Sequence, residues 1–206
     1  MSATLPNAQS NAAPGLRATQ RPRDRILSAA CELFYRGGIN PVSVDAIAEA
    51  ALTNKMTLYR HFKSKDELIL AYVKQLASEG DGVWQRITKA HPSDPELRLS
   101  AWISHVDDVL MNKFARGCPL ANAAVELHAA HPGRAVIEAY KSRKRDHLVK
   151  LFRDVQFRDP DILADEVFLL FEGARVNIQC GGKVPASRVV RMLRAVLSTA
   201  PRKSRR

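Results

Sequence analysis

The sequence has little of what would place it in a membrane, a disulfide scaffold or a sheet. Its 206 residues hold three cysteines, at positions 31, 118 and 180. An odd, widely spaced set makes neither a disulfide framework nor a zinc pattern, and a reducing compartment suits it. No run approaches the ~18 consecutive apolar residues of a membrane span. Residues 1–20, rich in Ala, Ser, Asn, Thr and Pro, lack an apolar segment after a basic start, so a disordered arm is expected there and not a secretion signal. The expected location is cytoplasmic. Glycine and proline number 10 and 11, and no convincing period-2 alternation is present, so an all-α chain is expected. Acidic residues are the scarce charge: 21 Asp and Glu against 32 Lys and Arg leave a net +11, with a pI near 10.0. That balance fits a polyanionic partner, nucleic acid first and an anionic membrane surface second.

What is present is a pair of short helical patterns around a turn, from 43 to 62. Val44, Ile47, Ala48 and Ala51 fall at i, i+3, i+4 and i+7 behind Ser43, a good N-cap. Asn54 then opens a second helix whose outward residues are Lys55, Met56, Thr57, Tyr59, Arg60 and His61, while Leu58 and Phe62 face inward. Donors, cations and an aromatic edge without a carboxylate suit a helix that enters the major groove. Gly37-Gly38 ends the helix before it, and Ser64-Lys-Asp-Glu67 is a capping box that starts the helix after it.

From about Arg23 to Val73 the chain resembles the DNA-binding domain of the TetR family of transcriptional regulators. The resemblance rests on Phe34-Tyr-Arg-Gly-Gly38, the Ser-Val-x-x-Ile-Ala pattern from Ser43, Thr57-Leu-Tyr-x-His-Phe62 and Lys63-Ser-Lys-Asp-Glu-Leu68. It implies that Lys55, Met56 and Tyr59 lie against base edges. Thr57, Arg60, His61 and Lys65 would hold phosphates, with Ser43 at the start of the supporting helix. It also implies a homodimer on a palindromic operator, with two recognition helices ~34 to 36 Å apart, formed through the last two helices. Two residues depart from the family pattern. Leu52 stands where the turn usually has glycine, and Met56 where a smaller residue is common.

Punctuation along the rest of the chain predicts helices at 23–37, 43–51, 54–61, 64–89, 94–115, 119–130, 133–156, 160–180 and 185–199. The implied organisation is an arm at 1–20, a DNA-binding domain at 21–80, an effector-binding and dimerisation domain at 81–200, and a basic tail at 201–206 that frays. Leu163, Val167, Leu170, Phe171, Ala174 and Ile178 make one wide apolar stripe near the end. Val189, Met192, Leu193, Val196 and Ala200 make another.

Other clusters admit two readings. Arg17, Arg21, Arg23 and Arg25 are either a solvated tether or a minor-groove and phosphate contact. The basic run Lys141-Ser-Arg-Lys-Arg-Asp-His-Leu-Val-Lys150 reads as the outer face of a long helix, with no function assigned. Cys118 precedes Pro119 and so falls at a helix N-cap, where the helix dipole and Arg116 favour a thiolate; a packed, inert cysteine is the plainer reading. His105, His128 and His131 read as structural or solvent-facing, and neither a metal site nor a cofactor is expected. Trp84, Trp102, Met111, Phe168, Phe171 and Arg175, with Cys118 and Asn122, are candidates for an effector pocket suited to a small amphipathic molecule.

The expected function is a ligand-responsive, sequence-specific regulator, a repressor released from its operator by a small molecule. An electrophile- or redox-sensing regulator acting through Cys118 is the alternative. A thiol enzyme using Cys118 with His128 or His131, and a sequence-indifferent architectural DNA binder, are further readings, each weaker because it leaves part of the chain unexplained.

Overall fold

A computed structural model describes residues 21–113 and 116–203, with the side chains of 112 and 113 left aside. The arm at 1–20, including Arg17, lies outside the described residues, as do Ser204, Arg205 and Arg206. Among the described residues the architecture is all-helical. The helices are α1 (Pro22–Gly37), α2 (Val44–Ala50), α3 (Lys55–His61), α4 (Lys65–Ala90), α5 (Pro95–Asp108), α6 (Pro119–Glu126), α7 (Gly133–Asp154), α8 (Pro160–Gln179) and α9 (Ala186–Thr199). Proline sits in the first turn of α1, α5, α6 and α8, where its missing N–H costs nothing.

Two of the expected helices end early. The segment expected at 94–115 leaves α-geometry at Val109 and continues as a π-turn through Lys113. The one expected at 119–130 stops at Glu126, because the Arg134 guanidinium donates to the carbonyls of Ala124 (2.6 Å) and Leu127 (3.2 Å) and so satisfies its C-terminus.

The described residues divide into two compact units, 21–79 with 119–137, and 80–113 and 116–118 with 138–203. The sequence-based partition had placed 119–137 in the second domain. In the first unit, α1, α2 and α3 and the start of α4 enclose Ile26, Phe34, Ile47, Leu58, Phe62, Leu68 and Tyr72, with Phe34 edge-on to Tyr72 at 5.4 Å. The second unit has a larger core in which Trp84 stacks on Trp102 at 6.4 Å, and Trp102 meets Phe152 edge-on.

The expected frayed tail is corrected at Arg202 and Lys203. Phe157 and Arg202 form an isolated antiparallel bridge, Arg158 N–H donates to the Pro201 carbonyl and Lys203 N–H to the Gln156 carbonyl, at 2.9 and 2.8 Å. Arg202 also lies over the Phe157 ring and pairs with Glu96. A ladder contact with an aromatic face and a carboxylate is enough to fix two residues that composition alone reads as solvated.

Candidate nucleic-acid interface

The turn between α2 and α3 is built by its caps. Ser43 Oγ accepts from the Ala46 amide at 3.1 Å and Asn54 Oδ1 from the Thr57 amide at 2.8 Å, so each short helix has a fixed start. α2 ends in a Schellman arrangement: Thr53 N–H reaches the Ala48 carbonyl and Leu52 N–H the Glu49 carbonyl, both at 2.9 Å. Leu52 sits at its left-handed position with φ 53°. The residue that departs from the family pattern therefore takes up the glycine conformation.

Leu58 and Phe62 are fully buried, which turns the opposite face of α3 outward. Met56 (77% exposed) and Tyr59 (41%) project there, with Lys55, Arg60 and His61 also exposed and Thr57 half-buried. Lys55 Nζ donates to Asp45 on α2 at 3.0 Å. Both partners are exposed, so this pair is exchangeable against a polyanion. Lys65 donates to the Asn40 carbonyl at 3.2 Å. The capping box is present with one change of partner: Ser64 Oγ takes the Glu67 amide, while Glu67 reaches back to the Lys63 amide instead of that of Ser64. Of the arginine cluster, Arg23 lies over the Phe62 ring at 4.9 Å and Arg25 Nε donates to the Ala51 carbonyl at 3.1 Å. These two brace the domain from the start of α1.

Within the same unit, Glu126 at the end of α6 takes the amides of Ile39 and Asn40, at 2.7 and 2.9 Å. Those donors follow the stop at Gly38, whose φ is 88°. Nothing in the local sequence pattern pairs positions so far apart. His131 is buried and accepts the Gly133 amide through Nδ1 at 2.9 Å, in line with a structural role.

The effector-pocket candidates separate. Cys118, Phe168, Phe171 and Arg175 share one neighbourhood of the second unit. Trp84 and Trp102 are core residues stacked on each other, and Met111 is 56% exposed.

The neighbourhood is completed by residues that the sequence reading passed over. Lys144, placed by that reading on an outer solvated face, is 7% exposed, and Lys141 is half-buried. Both ammoniums meet the Glu172 carboxylate, Lys144 at 3.0 Å and Lys141 at 2.5 Å. Burial raises the Glu172 carboxyl, but Lys144 and Lys141 overcome it and hold the group down at about 2. Burial takes Lys144 down to about 8 against the pull of Glu172. Burial also pushes the Cys118 thiol up, yet Arg175, Lys141 and Lys144 outweigh it and leave the thiol below its ordinary value. Arg116, expected to act on Cys118, is exposed, and the sequence reading did not name Lys141 or Lys144 for that part.

Residues 26–72 match the family described as bacterial regulatory proteins, tetR family. Among characterised sequences, the regulator TcmR of Streptomyces glaucescens is 38% identical over 65 residues, 31% of this chain and 29% of its own length. UidR of Escherichia coli is 43% identical over 56 residues, 27% of this chain and 29% of its own length. The chain therefore spans less than a third of either relative. Solved structures extend the likeness. A TetR-type regulator of Streptomyces avermitilis aligns over 89% of this chain and 100% of its own, with 29% identity and a TM-score of 0.72. The TetR-family regulator SCO4454 of Streptomyces coelicolor aligns over 87% and 95%, with 28% identity and a TM-score of 0.76.

Proposed function

We propose that this chain, which belongs to the TetR family of bacterial regulatory proteins, is a dimeric, sequence-specific transcriptional regulator whose hold on a palindromic operator is set by a small molecule. The observation that carries this reading is the outward face of α3. Two side-chain caps and two fully buried anchors present Met56, Tyr59, Arg60 and His61 to solvent on a helix that itself contributes no carboxylate. Such a face supplies base-edge contacts from Lys55, Met56 and Tyr59. Thr57, Arg60, His61 and Lys65 supply phosphate contacts, with Ser43 bracing the helix start. A net charge of +11 favours encounter with DNA.

A second copy is supported by α8. Ile162, Leu169 and Val176 are 63%, 67% and 55% exposed and lie seven residues apart, on one line of the helix. Gly173 shares that line, with open space where a side chain would be. An exposed apolar stripe with a bare position suits close approach of another helix. Dimerisation gives the half-site spacing that a palindrome requires. Effector control then follows from differential affinity: a ligand that favours a dimer geometry other than the DNA-competent one shifts the population and releases the operator.

Binding titrations on cognate and scrambled duplexes test the reading. Tyr59→Ala should weaken the cognate site by ~1 to 3 kcal/mol, and Lys65→Ala should weaken every sequence and lower the salt slope by about 1. Parent-like cognate binding by Tyr59→Ala at matched salt would mean that α3 is not the reading helix.

A further inference from the structure

Asp45 and Lys55 tie the two helices of the turn motif together at their starts. Asp45 lies in the first turn of α2, two residues after the Ser43 cap, and Lys55 is the first residue of α3, one after the Asn54 cap. Lys55 Nζ donates to Asp45 Oδ2 at 3.0 Å, and the side chains of Lys55 and Asp45 keep 54% and 67% of their surface in solvent. An ion pair so exposed adds little to stability. It also stands at the first residue of the proposed reading helix, and the N-terminal residues of such a helix are the ones that reach base edges. Phosphate answers only half of this pair. It presents acceptors alone, so a phosphate that drew Lys55 away would stand beside the Asp45 carboxylate and be repelled by it.

The edge of a base pair answers both halves. In the major groove guanine O6, an acceptor, and the cytosine N4 amine, a donor, are bonded to each other about 2.9 Å apart. That spacing matches the one between Nζ and Oδ2, with a donor facing the acceptor and an acceptor facing the donor. An A·T pair offers thymine O4 and adenine N6 in the same way, but its second acceptor, adenine N7, lies on the donor's side and would face the carboxylate, while the thymine methyl crowds O4. In G·C the second acceptor, guanine N7, lies beside O6 and adds to the hold on the ammonium. We infer that Asp45 is a specificity-determining residue and that the Asp45–Lys55 pair reads one G·C base pair as a unit, Lys55 donating to guanine O6 and N7 and Asp45 accepting from the cytosine N4 amine. The inference rests on the regulator reading and adds a base contact from α2 to those of α3.

Selection from a pool of randomised duplexes tests it, with the full-length parent, Asp45→Ala, Asp45→Asn and Lys55→Met. Both residues are exposed, so the variants are expected to fold as the parent does. The parent should enrich a palindrome with a G·C pair in each half-site that depends on this ion pair. In competition against the same site carrying A·T there, the preference for G·C should fall ~10-fold or more in Asp45→Ala and in Lys55→Met, with the other positions keeping theirs. Asp45→Asn keeps an acceptor oxygen and should lose less. Asp45→Ala also removes a negative charge, so its binding to scrambled duplex should tighten. A carboxylate that only repels DNA, or only supports the fold, would change the affinity for every sequence alike. Three results in Asp45→Ala overturn the inference: unchanged preference at every position, an equal fall at all positions, or loss at a position other than the one Lys55→Met alters. Each leaves the regulator reading standing, because the parent still selects a palindrome. A parent that enriches no sequence removes both.

Discussion

The Thr53 amide donates to the Ala48 carbonyl at 2.9 Å and thereby folds the chain back over Leu52, which is held at φ 53°. A β-carbon in that conformation costs roughly 1 to 2 kcal/mol, while glycine brings an unfolded-state entropy penalty of roughly 0.5 to 1 kcal/mol. Leu52 is 61% exposed, so little packing opposes the exchange. Leu52→Gly should therefore stabilise the domain by ~0.5 kcal/mol or slightly more, and Leu52→Ala should not, since alanine keeps the β-carbon. Paired denaturant melts measure the difference; equal midpoints for the two variants would mean that the left-handed cap is not strained.

Glu126 is expected to matter for stability through two amides. Removing its carboxylate leaves the Ile39 and Asn40 N–H groups without that acceptor, at a cost of ~1 to 3 kcal/mol for a part-buried site. Glu126→Gln keeps one oxygen acceptor and should cost less than Glu126→Ala. A ranking of parent, Gln and Ala in chemical unfolding checks this, and equal stability of Gln and Ala would argue against the carboxylate as the anchor.

Gly173 distinguishes a monomer from a dimer. Alanine there should raise the helix propensity of α8 by ~1 kcal/mol in an isolated subunit. A leucine should instead hold a second helix away from the exposed line of Ile162, Leu169 and Val176. Sedimentation should give a dimer for the parent and a monomer for Gly173→Leu. A Leu variant that remains dimeric would place the interface elsewhere.

Lys144 predicts a stability change with a definite sign. Its folded value, about 8, lies below its ordinary 10.5. Between those values the unfolded chain binds more protons than the folded one, so this group's contribution rises with pH and is lost as pH falls through about 8. Relative to Lys144→Met, the parent should gain stability between pH ~8 and ~10. Taking the difference in a Cys118→Ser background, since Lys144 acts on that thiol, cancels groups not coupled to Lys144, Cys31 among them, which burial pushes up to about 12. A flat difference would mean that burial does not disfavour the Lys144 charge.

The DNA-binding region was legible because its signals are local. Caps three residues from their amides, apolar spacing within one helix and glycine at a stop all follow from short-range geometry, and Ser43, Asn54, Leu58 and Phe62 take the places their spacing predicts. The buried cluster of Lys141, Lys144 and Glu172 was not legible in that way. Whether Lys144 faces water depends on Glu172 and Phe171, 28 and 27 positions away, and a basic run looks the same on either side of a helix. One usable signal existed: Glu172 and Arg175 stand three apart in a helix that is otherwise largely apolar on that face, a polar pair that needs partners from elsewhere. Arg202 was misread for the same reason, since its bridge to Phe157 is long-range.

The cysteines allow a last test that combines access with charge. Cys180 is exposed, whereas Cys31 and Cys118 are buried, so a bulky thiol reagent should label Cys180 first. Small alkylating agents should behave differently at Cys118, where Lys141 Nζ lies 3.7 Å from Sγ and the surrounding cations favour the thiolate. Iodoacetate and iodoacetamide both add to a thiolate with loss of iodide, but only the first carries a carboxylate. The iodoacetate-to-iodoacetamide rate ratio should be higher at Cys118 than at Cys180, and Arg175→Met should lower it at Cys118 alone. Peptide mass mapping over a time course reads both ratios. Equal ratios at the two cysteines would show that the buried cations do not draw an anion to the thiol.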